Sequence, residues 1–448
     1  EEKGGIYSWM EKSVGPTFAL VGTLMWYASN CIWMVSVSNT MLVPLSNIIF
    51  GETNLPSTTY VSLFAIIWMF FVTFASIKGI DSIKKFASVG GVAVLLLNVV
   101  LIVGAIVVLV ANGFETATPL NLEALTSSPN PTFQPSIISF VAFMVYAIFA
   151  YGGVEVAGGL VDETENPGKN YPKGIILSAL VITIGYAIAI LCVGFFVNYE
   201  SQWAQDIVAE KIHLGNVGYV MMSNLGTAIG NAFGMEASTG VAIGSFLARF
   251  TGLSMFLAYM GSFFAIIYSP IKQLIHGTPE KLWPGKLAHL DEKGMPRQAM
   301  IVQCTVVVIV IAINWLLSLT DEGAASTFFQ VLTDMSNVAM TLPYLFIVYA
   351  FYKFKTNDNI EKGFVIFKGK SFYKFIVFGL FIVVGFANFF TIIEPFVDYF
   401  GATFDSAAAQ NTAFIGALRS TVSMVTGPII FSLTAYFLMR NYNNKYNK

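Results

Sequence analysis

"VGGVAVLLLNVVLIVGAIVVLV", residues 89 to 110, runs for 22 positions without a charged side chain. About 20 such residues cross the hydrocarbon core of a bilayer. Lipid offers an open backbone no hydrogen-bond partner, so the run reads as a membrane-spanning helix. Moving outward, the same reading places spans at about Phe18 to Val43, Val61 to Ile77, Ile137 to Ala157, Ile175 to Val197, Gly244 to Tyr268, Met300 to Leu317, Phe328 to Phe351, Phe375 to Ile393 and Ala413 to Met439. The chain is thus expected to be an all-α polytopic membrane protein with ten transmembrane helices. Its composition agrees: of 448 residues 56% are hydrophobic and 11% charged, where soluble chains carry roughly 25% charged residues.

Charge placement orders the spans. The segments 1–16, 78–86, 169–173, 270–297, 353–374 and 440–448 hold 21 of the 24 Lys and Arg. With ten spans they all fall on one side, which the positive-inside bias makes cytoplasmic; both ends of the chain are then cytoplasmic. An eleventh span at Val217 to Phe233 would break that pattern, so this segment, interrupted by Ser223, Asn224, Gly226, Gly230 and Asn231, is expected to be a helix against the outer face. A net charge of -2 built from few charges leaves no basic surface for nucleic acid. Cys31, Cys192 and Cys304 sit in apolar runs without disulfide or metal spacing, and no motif points to a cofactor or a metal.

Chemistry concentrates in the fourth span. Phe149-Ala150-Tyr151-Gly152-Gly153-Val154-Glu155 puts two glycines and a carboxylate inside an apolar helix. Each glycine weakens a helix by about 1 kcal/mol, and a break would free carbonyls and amides of the kind secondary transporters use to bind small charged solutes. The competing reading is a close helix crossing through small residues. Glu155 reads as a functional acid, since an intramembrane carboxylate costs a few kcal/mol unless paired, solvated or protonated, or as a structural acid bonded to nearby backbone. Trp26, Asn30 and Trp33 share one face of the first span and line either a cavity or an aromatic core. Ser336 and Asn337, with Asp334 a turn earlier, precede Pro343 and line either a kinked polar path or an interhelical contact.

The segment "FAYGGVEVAGGLVDETENP", residues 149 to 167, and the opening "GGIYSWMEKSVGP" resemble the amino acid/polyamine/organocation permease superfamily, in its glutamate/γ-aminobutyrate antiporter branch. "ARFTGLSMFLAYMGSFFAIIYSPIKQLIHGTPEKLWP" and "MTLPYLF" are similar to a bacterial inner-membrane transporter of this type. The resemblance implies a LeuT-like fold of two inverted five-helix repeats plus two accessory helices. In the family the "GGxYxW" segment follows the second helix, so the ten spans would be family helices three to twelve, with the first two missing. Residues 1–448 would form one N-terminally truncated transporter domain: 1–110 the remainder of the first repeat, 136–352 the second inverted repeat, and 375–440 the two accessory helices. The resemblance also implies roles. Phe149 falls at an aromatic gate, Glu155 at the acid of proton-linked gating, and Ser336 and Ser262 at substrate-facing positions. At the position of Ser262 the glutamate antiporter type carries an acid. The tail Asn441 to Lys448 is too short to be that antiporter's pH-dependent plug.

The functional expectation is a secondary carrier, and not an enzyme, that moves an amino acid across the bacterial inner membrane by alternating access. It would work as an exchanger or proton-linked carrier of the glutamate/γ-aminobutyrate type, with an amino acid and a proton as its small-molecule partners. Its substrate and gating residues would be Phe149, Tyr151, Gly152, Gly153, Glu155, Ser262, Ser336, Asn337 and Asn30. The alternatives are a channel or a membrane-embedded enzyme, for which the sequence offers neither a filter nor an interfacial cluster of His, Asp or Cys.

Overall fold

The run that opens the sequence reading forms most of a helix, Ile80–Ala111, in a computed structural model that describes residues 5–51, 57–121, 151–199, 203–209, 211–212, 215–320, 322–360 and 369–446, with a few scattered helical positions between 137 and 148. In chain order the helices are α1 (Gly5–Val14), α2 (Pro16–Thr40), α3 (Leu42–Phe50), α4 (Thr58–Ile77), α5 (Ile80–Ala111), a 3-10 helix (Val154–Glu163) and α6 (Pro167–Val193). There follow α7 (Ala204–Val208), α8 (Val217–Ala232), α9 (Ala237–Gly277), a 3-10 turn (Glu280–Leu282), α10 (Arg297–Thr320), α11 (Glu322–Thr341), α12 (Pro343–Thr356), α13 (Lys370–Gly401) and α14 (Ala407–Tyr446). Among the described residues nine helical stretches are long and apolar enough to span a membrane. They correspond to nine of the ten expected spans. The remaining one, Ile137 to Ala157, lies largely outside the described residues, and its last positions belong to the 3-10 helix. A large share of the apolar side chains faces outward, as on α5 at Val92, Leu95, Val99 and Val103, where a bilayer would be their solvent.

Lipid is as apolar as Leu, so helix association in a membrane relies on close packing and polar bonds. α9, 41 residues long, supplies the close packing. A methyl group on Gly90 of α5 would lie 2.6 Å from the Leu257 carbonyl, and one on Gly261 of α9 2.9 Å from the Phe86 carbonyl. On its first turns, α9 meets α8 through Gly230 against Gly240 and Gly226 against Gly244, with a methyl on Gly230 only 2.5 Å from the Gly240 Cα. At 1.5 Å rise per residue α9 is about 60 Å long, more than the roughly 45 Å of a whole bilayer. α8, at 16 residues, packs on the first turns of α9 and is not among the nine spanning stretches. Polar ties between helices include Thr341 Oγ1 to Asn388 Oδ1 at 2.6 Å, Gln303 Nε2 to the Ile267 carbonyl at 3.0 Å and Trp315 Nε1 to Thr59 Oγ1 at 3.3 Å.

Four of the basic segments, 1–16, 78–86, 270–297 and 440–448, are linked by contacts with one another or with their neighbours. Lys293 Nζ donates to the Lys78 carbonyl at 3.0 Å, Lys281 Nζ lies 5.1 Å from the Tyr446 ring, and the Ile6 amide donates to Gln273 Oε1 at 2.9 Å. Thr118 Oγ1 donates to the Val197 carbonyl at 2.6 Å. Pro343 lacks an amide proton and cannot continue the ladder of α11, so the chain restarts there as α12 with Pro343 in its first turn.

Candidate functional site

The two glycines of the fourth span do interrupt the helix. Tyr151 to Gly153 form a turn, Gly153 takes φ +98°, a left-handed value that glycine adopts at no steric cost, and the chain resumes as the 3-10 helix from Val154. A 3-10 helix is tighter than the regular half-helix that the sequence reading implies.

Glu155 is the second residue of that helix and is 9% exposed. Its Oε1 accepts from Trp26 Nε1 of α2 at 3.0 Å and from Tyr344 Oη of α12 at 3.1 Å, and both carboxylate oxygens lie 3.1 Å from the Gly153 amide. One carboxylate thus joins the break to two other helices and caps the Gly153 amide. Tyr344 is delivered to it by the restart at Pro343, one position earlier.

Below the break the 3-10 helix is clamped by the last turns of α9. Gln273 Nε2 donates to the carbonyls of Glu155 at 3.0 Å and Val156 at 3.3 Å, while its Oε1 holds the Ile6 amide of α1. The Ser269 hydroxyl donates to the Val156 carbonyl. Lys272 Nζ meets both oxygens of Asp162 at 2.8 and 3.1 Å, with the lysine side chain 3% exposed. Ser269, Lys272 and Gln273 are i, i+3 and i+4, one face of one helix. Within α1, Tyr7 Oη donates to Glu11 Oε1 at 3.1 Å, and burial together with that carboxylate pushes the Tyr7 phenol above its ordinary value.

Contact in the clamp is close enough to test by one methyl group. A Cβ on Gly159 would meet the Ser269 side chain and lie 2.8 Å from its carbonyl, and overpacking of this kind costs about 1–3 kcal/mol. Gly159→Ala is expected to lower the thermal unfolding midpoint in detergent, whereas Gly185→Ala, where a Cβ meets open space, is expected to leave it unchanged or raise it. Equal midpoints for both would mean that the clamp yields without cost.

Against the break lies a cavity of about 720 Å³. Gly152, Gly153, Val156 and Ala157 form one wall, Trp33 of α2 and Met340 of α11 another, Asn170, Tyr171, Ser178 and Ile182 of α6 a third, and Ser262, Ala265 and Ile266 of α9 a fourth. The structure thus brings Gly152, Gly153, Glu155 and Ser262 to one place. Tyr151 turns its hydroxyl to Thr183 Oγ1 at 2.6 Å. Asn30 is fully buried one turn from Trp26 and donates to its carbonyl at 2.8 Å; it does not line the cavity. Ser336 and Asn337 lie a turn before Met340 and do not line it either. Phe149 lies outside the described residues. The face of Trp26, Asn30 and Trp33 is split: Trp26 serves the carboxylate, Trp33 the cavity. Sequence reasoning missed Tyr344, Gln273 and the Lys272–Asp162 pair; the one available signal was the lysine two residues beyond Pro270.

A polytopic helical bundle with a broken helix and a cavity at the break is the architecture of a membrane transporter. The model of the family described as amino acid permease matches residues 1–400, and the chain belongs to that family; it is a membrane amino-acid transporter. It is 44% identical to the inner membrane transporter YjeM of Escherichia coli K12 over 456 aligned positions, which cover 100% of this chain and 86% of that protein. More distant relatives are the aspartate/glutamate permease AcaP of Lactococcus lactis, 24% identical over 78% of this chain and 67% of its own length, and a glutamate/gamma-aminobutyrate antiporter of Lactococcus lactis strain IL1403, 22% identical over 88% and 72%.

Proposed function

We propose that this chain is a secondary carrier of the bacterial inner membrane that moves an amino acid by alternating access, as an exchanger or a proton-linked carrier of the glutamate/γ-aminobutyrate kind. The observation that carries the proposal is the break at Gly152–Gly153 beside a cavity, with Glu155 bonded across it to α2 and α12. Broken helices present backbone groups and helix-end dipoles to a zwitterion, and the polar groups in the walls are uncharged.

In this reading residues 136–352 are the second inverted repeat, 1–110 belong to the first, and 375–440 are two accessory helices. The basic segments lie on the cytoplasmic side, with both termini there. The clamp of Ser269, Lys272 and Gln273 then shuts the cytoplasmic side, and Glu155 is the acid through which gating and proton movement are linked. Phe149 and Tyr151 are proposed for gating, and so are Ser336, Asn337 and Asn30, which do not line the cavity themselves.

Counterflow tests this. Proteoliposomes preloaded with an unlabelled amino acid are expected to take up its labelled form transiently above equilibrium. A channel gives no overshoot, and that result, or overshoot only with a solute that is not an amino acid, overturns the proposal.

A further inference from the structure

The walls of the cavity at the break carry no charged side chain among the described residues. The charged groups nearby are already engaged or turned away. Glu155 directs its carboxylate to Trp26, Tyr344 and the Gly153 amide. Lys272, 2% exposed, is paired with Asp162. Lys169 and Lys173, near the start of α6, are exposed and are not wall residues. What the walls offer beyond backbone is hydroxyls and an amide at Thr164, Asn170, Tyr171, Ser178 and Ser262, set among apolar groups such as Ile266 and Met340.

We infer that the substrate is a zwitterion with no third charge, a neutral amino acid or an ω-amino acid with one ammonium and one carboxylate, and that amino acids with a second ionised carboxylate are rejected, which keeps γ-aminobutyrate and drops glutamate from the proposed pair. The inference rests on the proposed transport reading and narrows it. An ammonium and a carboxylate can face opposite ends of a broken helix. A second carboxylate at membrane depth must be paired with a cation, keep its water or take up a proton; these walls supply no cation, so at pH 7 the ionised second carboxylate is disfavoured there.

The test compares near-isosteric pairs on the purified full chain at pH 7: glutamine with glutamate, asparagine with aspartate, and γ-aminobutyrate beside lysine. The expected result is that glutamine and asparagine compete in counterflow at concentrations at least tenfold below glutamate and aspartate, a difference worth about 1.4 kcal/mol, and that lysine competes poorly. Ligand-induced shifts of the unfolding temperature in detergent should give the same order. Glutamate or aspartate matching its amide in either measurement overturns the inference. Thermal shifts in the expected order without counterflow by any amino acid would sink the transport reading and leave the charge rule standing; no shift with any amino acid would sink both. Ser178→Lys, which adds a cation to the wall, is expected to move the glutamate-to-glutamine preference at least tenfold toward glutamate, with Ser178→Gln as the size control. A folded Ser178→Lys protein with unaltered preference would also refute the inference.

Discussion

Glu155→Ala is expected to abolish transport, with initial uptake per unit of reconstituted protein falling at least a hundredfold. The carboxylate accepts from Trp26 Nε1, Tyr344 Oη and the Gly153 amide. Alanine leaves the indole and phenol donors, drawn from α2 and α12, without this acceptor in a buried place. Each orphaned donor costs about 1–3 kcal/mol, so the closed arrangement loses roughly 2–6 kcal/mol, a shift of that many kcal/mol in the balance between the open and closed forms on which alternating access depends. Glu155→Gln separates charge from shape. Its carbonyl still accepts from Trp26 and Tyr344, while its amide nitrogen faces the Gly153 amide, donor against donor. Uptake about tenfold below wild type, with a flattened dependence on pH, is expected from that variant if protons are coupled through this acid. Wild-type rates and pH profile in Glu155→Gln would reduce the residue to a cap for the turn.

The second large effect is on stability. Asp162→Ala removes the carboxylate from Lys272, whose side chain is 3% exposed and whose ammonium otherwise faces the Tyr268 ring at 5.4 Å. Breaking a buried pair from one side costs about 3–5 kcal/mol, while replacing both partners with apolar groups is often neutral. With Asp162 itself 22% exposed, the lower end, about 3 kcal/mol, is expected for Asp162→Ala. Adding Lys272→Met should restore most of the lost stability. Thermal unfolding of the two single variants and the double variant measures the coupling; a double variant no more stable than Asp162→Ala would show that the lysine is stabilised by something other than this carboxylate.

Properties that depend on one segment at a time were legible in the residues. Whether a run such as 89–110 spans follows from its own transfer into lipid, which asks nothing of the rest of the chain. The break at Gly152–Gly153 follows from local helix propensity, and the restart at Pro343 from a missing amide proton. The expectation that the basic segments share a side came from counting charges between spans. Partners of Glu155 were not legible, because Trp26 is 129 positions away and Tyr344 189, and the same holds for Lys272 with Asp162, 110 apart. Which of the polar candidates reach the cavity, Ser262 but neither Asn30 nor Ser336, depends on how each helix is rotated about its axis. In water a helix declares that rotation by an apolar stripe. In a membrane both lipid and neighbouring helices accept apolar faces, so the stripe fades, and only close contacts such as Gly90 on Leu257 and Gly159 on Ser269 decide which way each helix turns.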